Sequence, residues 1–150
     1  MSPADVLSRL RRFLLLFSVL LLGGALSELW LIGHMEDPLQ FIPFVLCGLG
    51  MIAALAAFVR PQRATLLVLR VFVALIVLGA LLGIYLHVDG NLALQREISP
   101  NATTSETLFG ALGGANPLLA PGILAVAAVL ALAATYQHPA LRNEDEGQPA

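Results

Sequence analysis

Charged side chains are scarce in this chain. Of its 150 residues, 12% are charged and 58% are apolar, whereas about a quarter of the residues in a soluble domain are charged. That shortage excludes a water-soluble globular domain, and the high apolar content excludes a disordered chain. The net charge of −2 and the lack of a basic patch argue against nucleic-acid binding. The composition therefore indicates an integral membrane protein that is surrounded mainly by the lipid bilayer.

Cysteine pairs and catalytic motifs are also missing. The single Cys47 cannot form an intramolecular disulfide, which excludes a membrane disulfide-exchange enzyme. The sequence contains no HExxH, HxxxH or CxxC motif, and these spacings bring metal ligands or redox thiols together. The scarcity of catalytic residue types favours a protein that is not an enzyme, and no cofactor is predicted.

Four apolar runs are long enough to cross a membrane. A transmembrane helix needs about 20 apolar residues for a hydrocarbon core of about 30 Å, and no alternating strand pattern competes. The sequence therefore predicts an all-α bundle of four transmembrane helices, forming a single membrane domain over residues 1–150. The predicted spans cover residues 13–33, 41–59, 64–88 and 117–136. The first run continues past Ala25, which favours an uncleaved anchor over a cleaved signal peptide.

The arginines predict the orientation of the bundle. Cytoplasmic loops are enriched in Lys and Arg, and all but one of the arginines fall on one side of the predicted topology. That side holds Arg9, Arg11, Arg12, Arg60, Arg63, Arg70 and Arg142, and the opposite side holds Arg96. Both termini are therefore predicted to be cytoplasmic (N-in, C-in). The sequence has no lysine and is rich in Ala and Leu, which suggests a GC-rich bacterial genome, so we expect the bacterial cytoplasmic (inner) membrane.

One longer outer loop, about residues 89–116, is the only long connection. Within it, Thr103 and Glu106 match a capping box, and an apolar stretch that includes Phe109 follows them. This pattern predicts a short interfacial helix lying on the outer surface of the membrane. Residues 137–150 are predicted to form a short, acidic, disordered cytoplasmic tail.

Glu28 is the most informative polar residue, because it falls inside the first predicted span. At 1.5 Å per residue it is expected roughly 10 Å below the outer end, where a carboxylate costs a few kcal/mol unless it is paired, hydrated or protonated. Gly24 lies one turn below on the same face and lets another helix approach closely. Two interpretations stay open: a proton or ion site, and a polar residue that holds the bundle together by hydrogen bonds.

His34 and His87 are predicted at the outer ends of the first and third spans, so that Glu28 and both histidines share one outer pocket. Two imidazoles and a carboxylate suit Zn²⁺ or non-haem iron, and two histidines on different helices suit a single haem. Their spacing is not that of a known metal motif. A metal or haem site is therefore one hypothesis, and wetted histidines at the membrane interface are the other.

Gly79 and Gly83 form a small-xxx-small pattern in the third span. Such a pattern lets helices pack closely, either inside the bundle, which we favour, or across a homodimer. Three functions remain open, in this order. The first is a non-enzymatic accessory or structural subunit with a membrane protein partner. The second is a proton-coupled small transporter that uses Glu28. The third is a metal- or haem-binding membrane protein that uses His34 and His87.

Overall fold

The protein is helical throughout the part of the chain that the computed structural model describes, residues 2–142. The helices are α1 (Pro3–Leu31), α2 (Phe41–Val59), α3 (Arg63–Ile98), α4 (Thr104–Leu112) and α5 (Leu119–Thr135). Short 3-10 turns lie at Pro38–Gln40 and Pro139–Leu141. Residues 2–142 contain no strand, so the predicted all-α class is confirmed for them. Most of the predicted acidic tail, residues 143–150, lies outside the described residues.

Three segments are long and apolar enough to cross a membrane, namely Pro3–Leu31, Pro38–Val59 and Arg63–Ile98. α5 has 17 residues, which corresponds to about 26 Å of helix, and a hydrocarbon core is about 30 Å thick. The three longer segments agree with the predicted membrane association. Because α5 is shorter than the core is thick, the fourth span stays a prediction.

The four long helices form a bundle. α1 packs against α2 and α5, and α3 packs against the same two helices, so α1 and α3 lie diagonally opposite each other. Small side chains make this packing close. On α5 the inward face carries Ala127, Ala131 and Ala134, each at most 3% exposed. The buried Ser18 hydroxyl of α1 donates to the Ala127 carbonyl over 2.8 Å, which ties α1 to α5.

The helix ends differ from the predicted spans in two places. α1 begins at Pro3 rather than at residue 13, because Ser2 and Asp5 form a capping box with Pro3 in the first turn. α3 continues to Ile98, so the outer loop predicted over about residues 89–116 begins with a further stretch of helix. α2 covers the residues predicted for the second span, and α4 is the short helix expected after Thr103.

Arginines gather at one end of the bundle, which we call the basic end. There the Arg11 guanidinium donates to the carbonyls of Tyr136 and Gln137, just past the end of α5. Arg70 donates from Nε to the Thr135 hydroxyl over 3.0 Å and from its guanidinium to the Thr135 carbonyl over 3.1 Å. Positive charge at a helix C-terminus is stabilising. These contacts give Arg70 a structural role in holding α3 to α5.

Candidate functional site

The opposite end of the bundle, which we call the cleft end, begins where α1 stops. The Gly33 amide donates to the Trp30 carbonyl over 3.1 Å, and the His34 amide donates to the Leu29 carbonyl over 3.0 Å. This is a Schellman motif, which requires a left-handed residue at the position of Gly33, and Gly33 has a φ of 67°. The turn ends the helix and redirects the chain, so His34 returns over the helix end instead of continuing along α1.

A cleft of about 580 Å³ lies at this end, between α1, α2, α3 and α5. Its apolar part is lined by Ala25, Leu29, Leu46, Leu82, Leu86 and Leu124. Its polar part is lined by Glu28, His34, Asp37, Gln40, His87 and Asn116. Pro117 and Pro121 also line it. A cavity of this size and mixed lining is typical of a small-molecule site.

Glu28 lies in the last turn of α1 and lines the cleft. It is three positions before Leu31, so it lies about 5 Å along the axis from the end of α1, and its depth in the membrane stays a prediction. Within residues 2–142, no hydrogen bond or ion pair engages the Glu28 side chain, and it is solvent-exposed. The hydrogen-bonded interpretation of Glu28 therefore has no support in the described residues.

His87 is held by the chain that leads into α5. Its Nδ1 lies 2.9 Å from the Pro117 carbonyl oxygen. A carbonyl only accepts hydrogen bonds, so Nδ1 carries the proton in this contact. In the neutral imidazole the lone pair is then on Nε2. That nitrogen is the atom of His87 that is able to accept a proton or a hydrogen bond from a ligand.

His34 lines the same cleft from the loop after α1. Partial burial lowers the pKa of His34, and the nearby His87 lowers it further. A histidine is ordinarily half-protonated near pH 6.5, so at pH 7 the neutral form of His34 predominates. Its imidazole therefore adds little positive charge to the cleft at neutral pH.

The three residues predicted to form a metal site, Glu28, His34 and His87, thus line one cleft. Proximity along a wall is a weaker condition than coordination, which needs the ligand atoms about 2 Å from one ion. Within residues 2–142, no group of three or more His, Cys, Asp or Glu side chains is arranged to hold a metal ion. The metal or haem site stays a prediction, tested by metal analysis and a visible spectrum of the purified protein.

The three glycines predicted to pack helices have different surroundings. Gly79 of α3 faces the Leu46 side chain of α2, and a Cβ at Gly83 would lie 3.0 Å from the Pro121 Cβ of α5. A side chain at Gly79 would only require the end of the flexible Leu46 side chain to turn aside, whereas one at Gly83 would press on a proline ring. A Cβ at Gly24 would meet no atom within 4 Å, so Gly24 packs against no helix of the described bundle.

Two further residues shape the cleft: Asp37, which the sequence places near the two histidines, and Asn116, which the sequence analysis missed. Asp37 caps the turn at Pro38–Gln40 by accepting from the Leu39 amide over 2.8 Å. The buried Asn91 of α3 holds Asn116 in place, because the backbone amide of Asn116 donates to the Asn91 side-chain oxygen over 2.8 Å. The Asp-Pro dipeptide signalled the first of these, whereas no local pattern signalled the pairing of Asn91 with Asn116.

Comparisons with known proteins identify no relative of this chain. The chain matches no protein-family model, and no curated protein sequence and no solved structure is detectably similar to it.

The histidines make stability depend on pH. Burial lowers the pKa of His138, and the neighbouring Arg11 lowers it further. A histidine whose pKa is lower in the folded than in the unfolded state is fully stabilising above the unfolded value, about 6.5, and its contribution is lost as the pH falls below that value. For His34 and His138 we therefore expect the unfolding temperature to fall between about pH 7.5 and pH 5.5.

The check is a thermal unfolding series in detergent at constant ionic strength. The His34→Gln, His138→Gln double variant is the control, because glutamine does not titrate. We expect its unfolding temperature to vary less over this pH range than that of the natural protein. An equal decrease in both proteins would contradict the assignment.

Proposed function

We propose that this protein is a membrane protein of four spans, with both termini cytoplasmic, that binds a cation at Glu28 in exchange for a proton. The sequence analysis ranked this transporter-type function second. The observation that carries it is the Glu28 carboxylate, which lines a cleft with room for a ligand and has no hydrogen bond or ion pair within residues 2–142. The site chemistry is one exchange, in which the protonated Glu28 carboxyl releases H⁺ to water and the carboxylate then holds the cation.

The charges around the cleft support a cation as the ligand. Glu28 and Asp37 supply carboxylates, and no arginine lines the cleft. The Asp37 carboxylate accepts from the Leu39 amide, whereas the Glu28 carboxylate has no hydrogen-bond partner within residues 2–142. The Glu28 carboxylate attracts a cation a few ångströms away.

The proposed orientation rests on the arginines. Arg11 and Arg70 lie at the basic end, together with the short link between α2 and α3. Placing the basic end in the cytoplasm follows the positive-inside rule, and it turns the cleft towards the outer side. α4 then lies at the outer surface, as an interfacial helix would.

The test is infrared spectroscopy of the protein reconstituted in nanodiscs. Glu28→Gln identifies the band of the protonated Glu28 carboxyl, since the variant lacks it. At the pH where this band has half its maximum intensity, we expect added methylammonium chloride to weaken it and to release protons in proportion. Glu36→Gln is the matched control, because Glu36 does not line the cleft. A Glu28 band that responds to no added cation would overturn the proposal.

A second candidate is the accessory or structural subunit that the sequence analysis ranked first. The observation that favours it is the surface of α4, where Leu108, Phe109 and Leu112 are each more than half exposed. Its test is purification from native membranes in mild detergent, followed by intact-mass analysis. A partner in fixed stoichiometry that is lost in Phe109→Ser would favour this function, and a protein that purifies alone would count against it.

A further inference from the structure

We propose that the ligand of the cleft is an amphipathic ammonium compound: an ammonium group at Glu28 that carries an apolar chain along the leucine-lined wall. This inference rests on the proposed cation-binding function and narrows it to one ligand class. A lipid with an ammonium headgroup and a soluble alkylamine share this chemistry. The experiment below separates the two sources.

The polar side of the cleft has the groups that an ammonium ion needs. An ammonium group offers hydrogen-bond donors and a positive charge but no acceptor. The Glu28 carboxylate is unpaired within the described residues, and the Nδ1 contact of His87 to Pro117 leaves the Nε2 lone pair of the neutral ring as an acceptor. The Glu28 carboxylate and the His87 Nε2 line the same cleft, and each is an acceptor for a donor of an ammonium group.

The same groups fit a metal ion less well. Transition metals in proteins are held by three or four side-chain ligands in a fixed geometry. Residues 2–142 present no such group. An ammonium ion has no comparable demand for coordination geometry, because its hydrogen bonds are fewer and more tolerant in direction.

The apolar side of the cleft favours a ligand that carries an apolar chain as well as a positive charge. About 580 Å³ is far more space than an ammonium group fills, and Leu29, Leu46, Leu82 and Leu86 line much of the remainder. A small hydrated cation would leave these side chains facing water. An alkyl chain would bury them, and each buried methylene strengthens binding about four-fold.

The test measures how binding depends on chain length. The protein is placed in nanodiscs of phosphatidylglycerol, a lipid without an ammonium group, and titrated with ethyl-, butyl-, hexyl- and octylammonium chloride. The readout is the ligand concentration that halves the intensity of the Glu28 infrared band, which we call the half-effect concentration. We expect this concentration to fall about four-fold for each methylene added until the wall is covered, and octyl sulfonate, an anion of similar shape, to have no effect.

A pair of leucine variants separates two effects: contact of the ligand with the leucine-lined wall, and partition of the ligand into the lipid of the nanodisc. Leu82 lines the cleft, whereas Leu81, its neighbour on α3, does not and is exposed. We expect Leu82→Ala to raise the half-effect concentration of octylammonium several-fold and to leave that of ethylammonium unchanged. Leu81→Ala should change neither. Partition into the nanodisc is the same for both variants, so it cannot produce this difference.

The outcomes separate the two proposals. If methylammonium and octylammonium act at the same concentration, the amphipathic ligand is excluded while cation binding at Glu28 stands. If octyl sulfonate acts as octylammonium does, the amphipathic ammonium ligand is excluded, and the methylammonium result alone decides cation binding at Glu28. If no cation alters the Glu28 band, both proposals fail. Adding phosphatidylethanolamine to the nanodiscs identifies the source. A rise in the half-effect concentration of octylammonium assigns the site to the lipid headgroup, and an unchanged value assigns it to a soluble amine.

Discussion

Replacing Asn91 with leucine is expected to release α4 from the bundle at a cost of about 2–4 kcal/mol. Asn91 is 1% exposed. Its side-chain amide donates to the carbonyls of Ala111 and Asn116, each over 2.9 Å, and its oxygen accepts from the Asn116 amide. Leucine has a similar volume but removes the partner of the Asn116 carbonyl and of the Asn116 backbone amide, whereas the Ala111 carbonyl still accepts from the Gly114 amide. Each unsatisfied buried group costs about 1–3 kcal/mol, and local opening relieves part of this cost.

The measurement is amide hydrogen exchange over α4 and residues 113–118. We expect faster exchange there and little change in the buried parts of α1 and α2, because local opening costs less than global unfolding. Asn101→Leu is the matched control: Asn101 is exposed and, among the described residues, makes no side-chain hydrogen bond. Equal protection of α4 in the natural protein and in Asn91→Leu would show that the Asn91 hydrogen bonds, which we call the Asn91 clamp, do not hold α4 to the bundle.

Gly83→Val is expected to destabilise the bundle by about 1–3 kcal/mol, the usual cost of adding volume to a packed interior. The added Cβ would lie 3.0 Å from the Pro121 Cβ. A proline ring is held by the backbone, so it cannot turn away as a flexible side chain would, and α5 must shift instead. Chemical unfolding in detergent, followed by circular dichroism, measures this loss.

Gly24→Val provides the comparison for this prediction. It makes the same change of side chain in a helix, at a position where a Cβ meets nothing within 4 Å. The two variants therefore share the effect on helix propensity and differ in packing. We expect Gly24→Val to change the free energy of unfolding by less than about 0.5 kcal/mol. Similar losses in the two variants would refute the close approach of α3 and α5.

The sequence was informative about the helices because hydrophobicity alone defines much of this fold. α2 coincides with its predicted segment, since apolar residues stop at both of its ends. The start of α1 was missed, because hydropathy does not report helix in the polar first turns, where Ser2 and Asp5 form the cap. The predicted crossing by α5 remains open, since its 17 residues are short for a span.

The candidate site was predictable in part. Helix ends at similar depth place Glu28, His34 and His87 on the same side of a bundle, and all three line one cleft. The membrane depth of Glu28 stays a prediction, and Gly33 is the kind of residue that marks the Schellman turn at the end of α1. The Asn91 clamp depends on two segments that are distant in sequence, and no pattern within either segment predicts that pairing.

The central claim is that the bundle crosses the membrane four times and turns its cleft away from the cytoplasm. Cys47 is fully buried, so single cysteines introduced at exposed sites are labelled without interference. A membrane-impermeant maleimide is applied to intact bacterial cells that produce Ser105→Cys, Gln62→Cys or Gln137→Cys. We predict labelling of Ser105→Cys alone, and labelling of the other two only after the cells are permeabilised. Labelling of Gln62→Cys from outside would invert the orientation, and labelling of Gln137→Cys from outside would mean that α5 does not cross; either result would contradict the account.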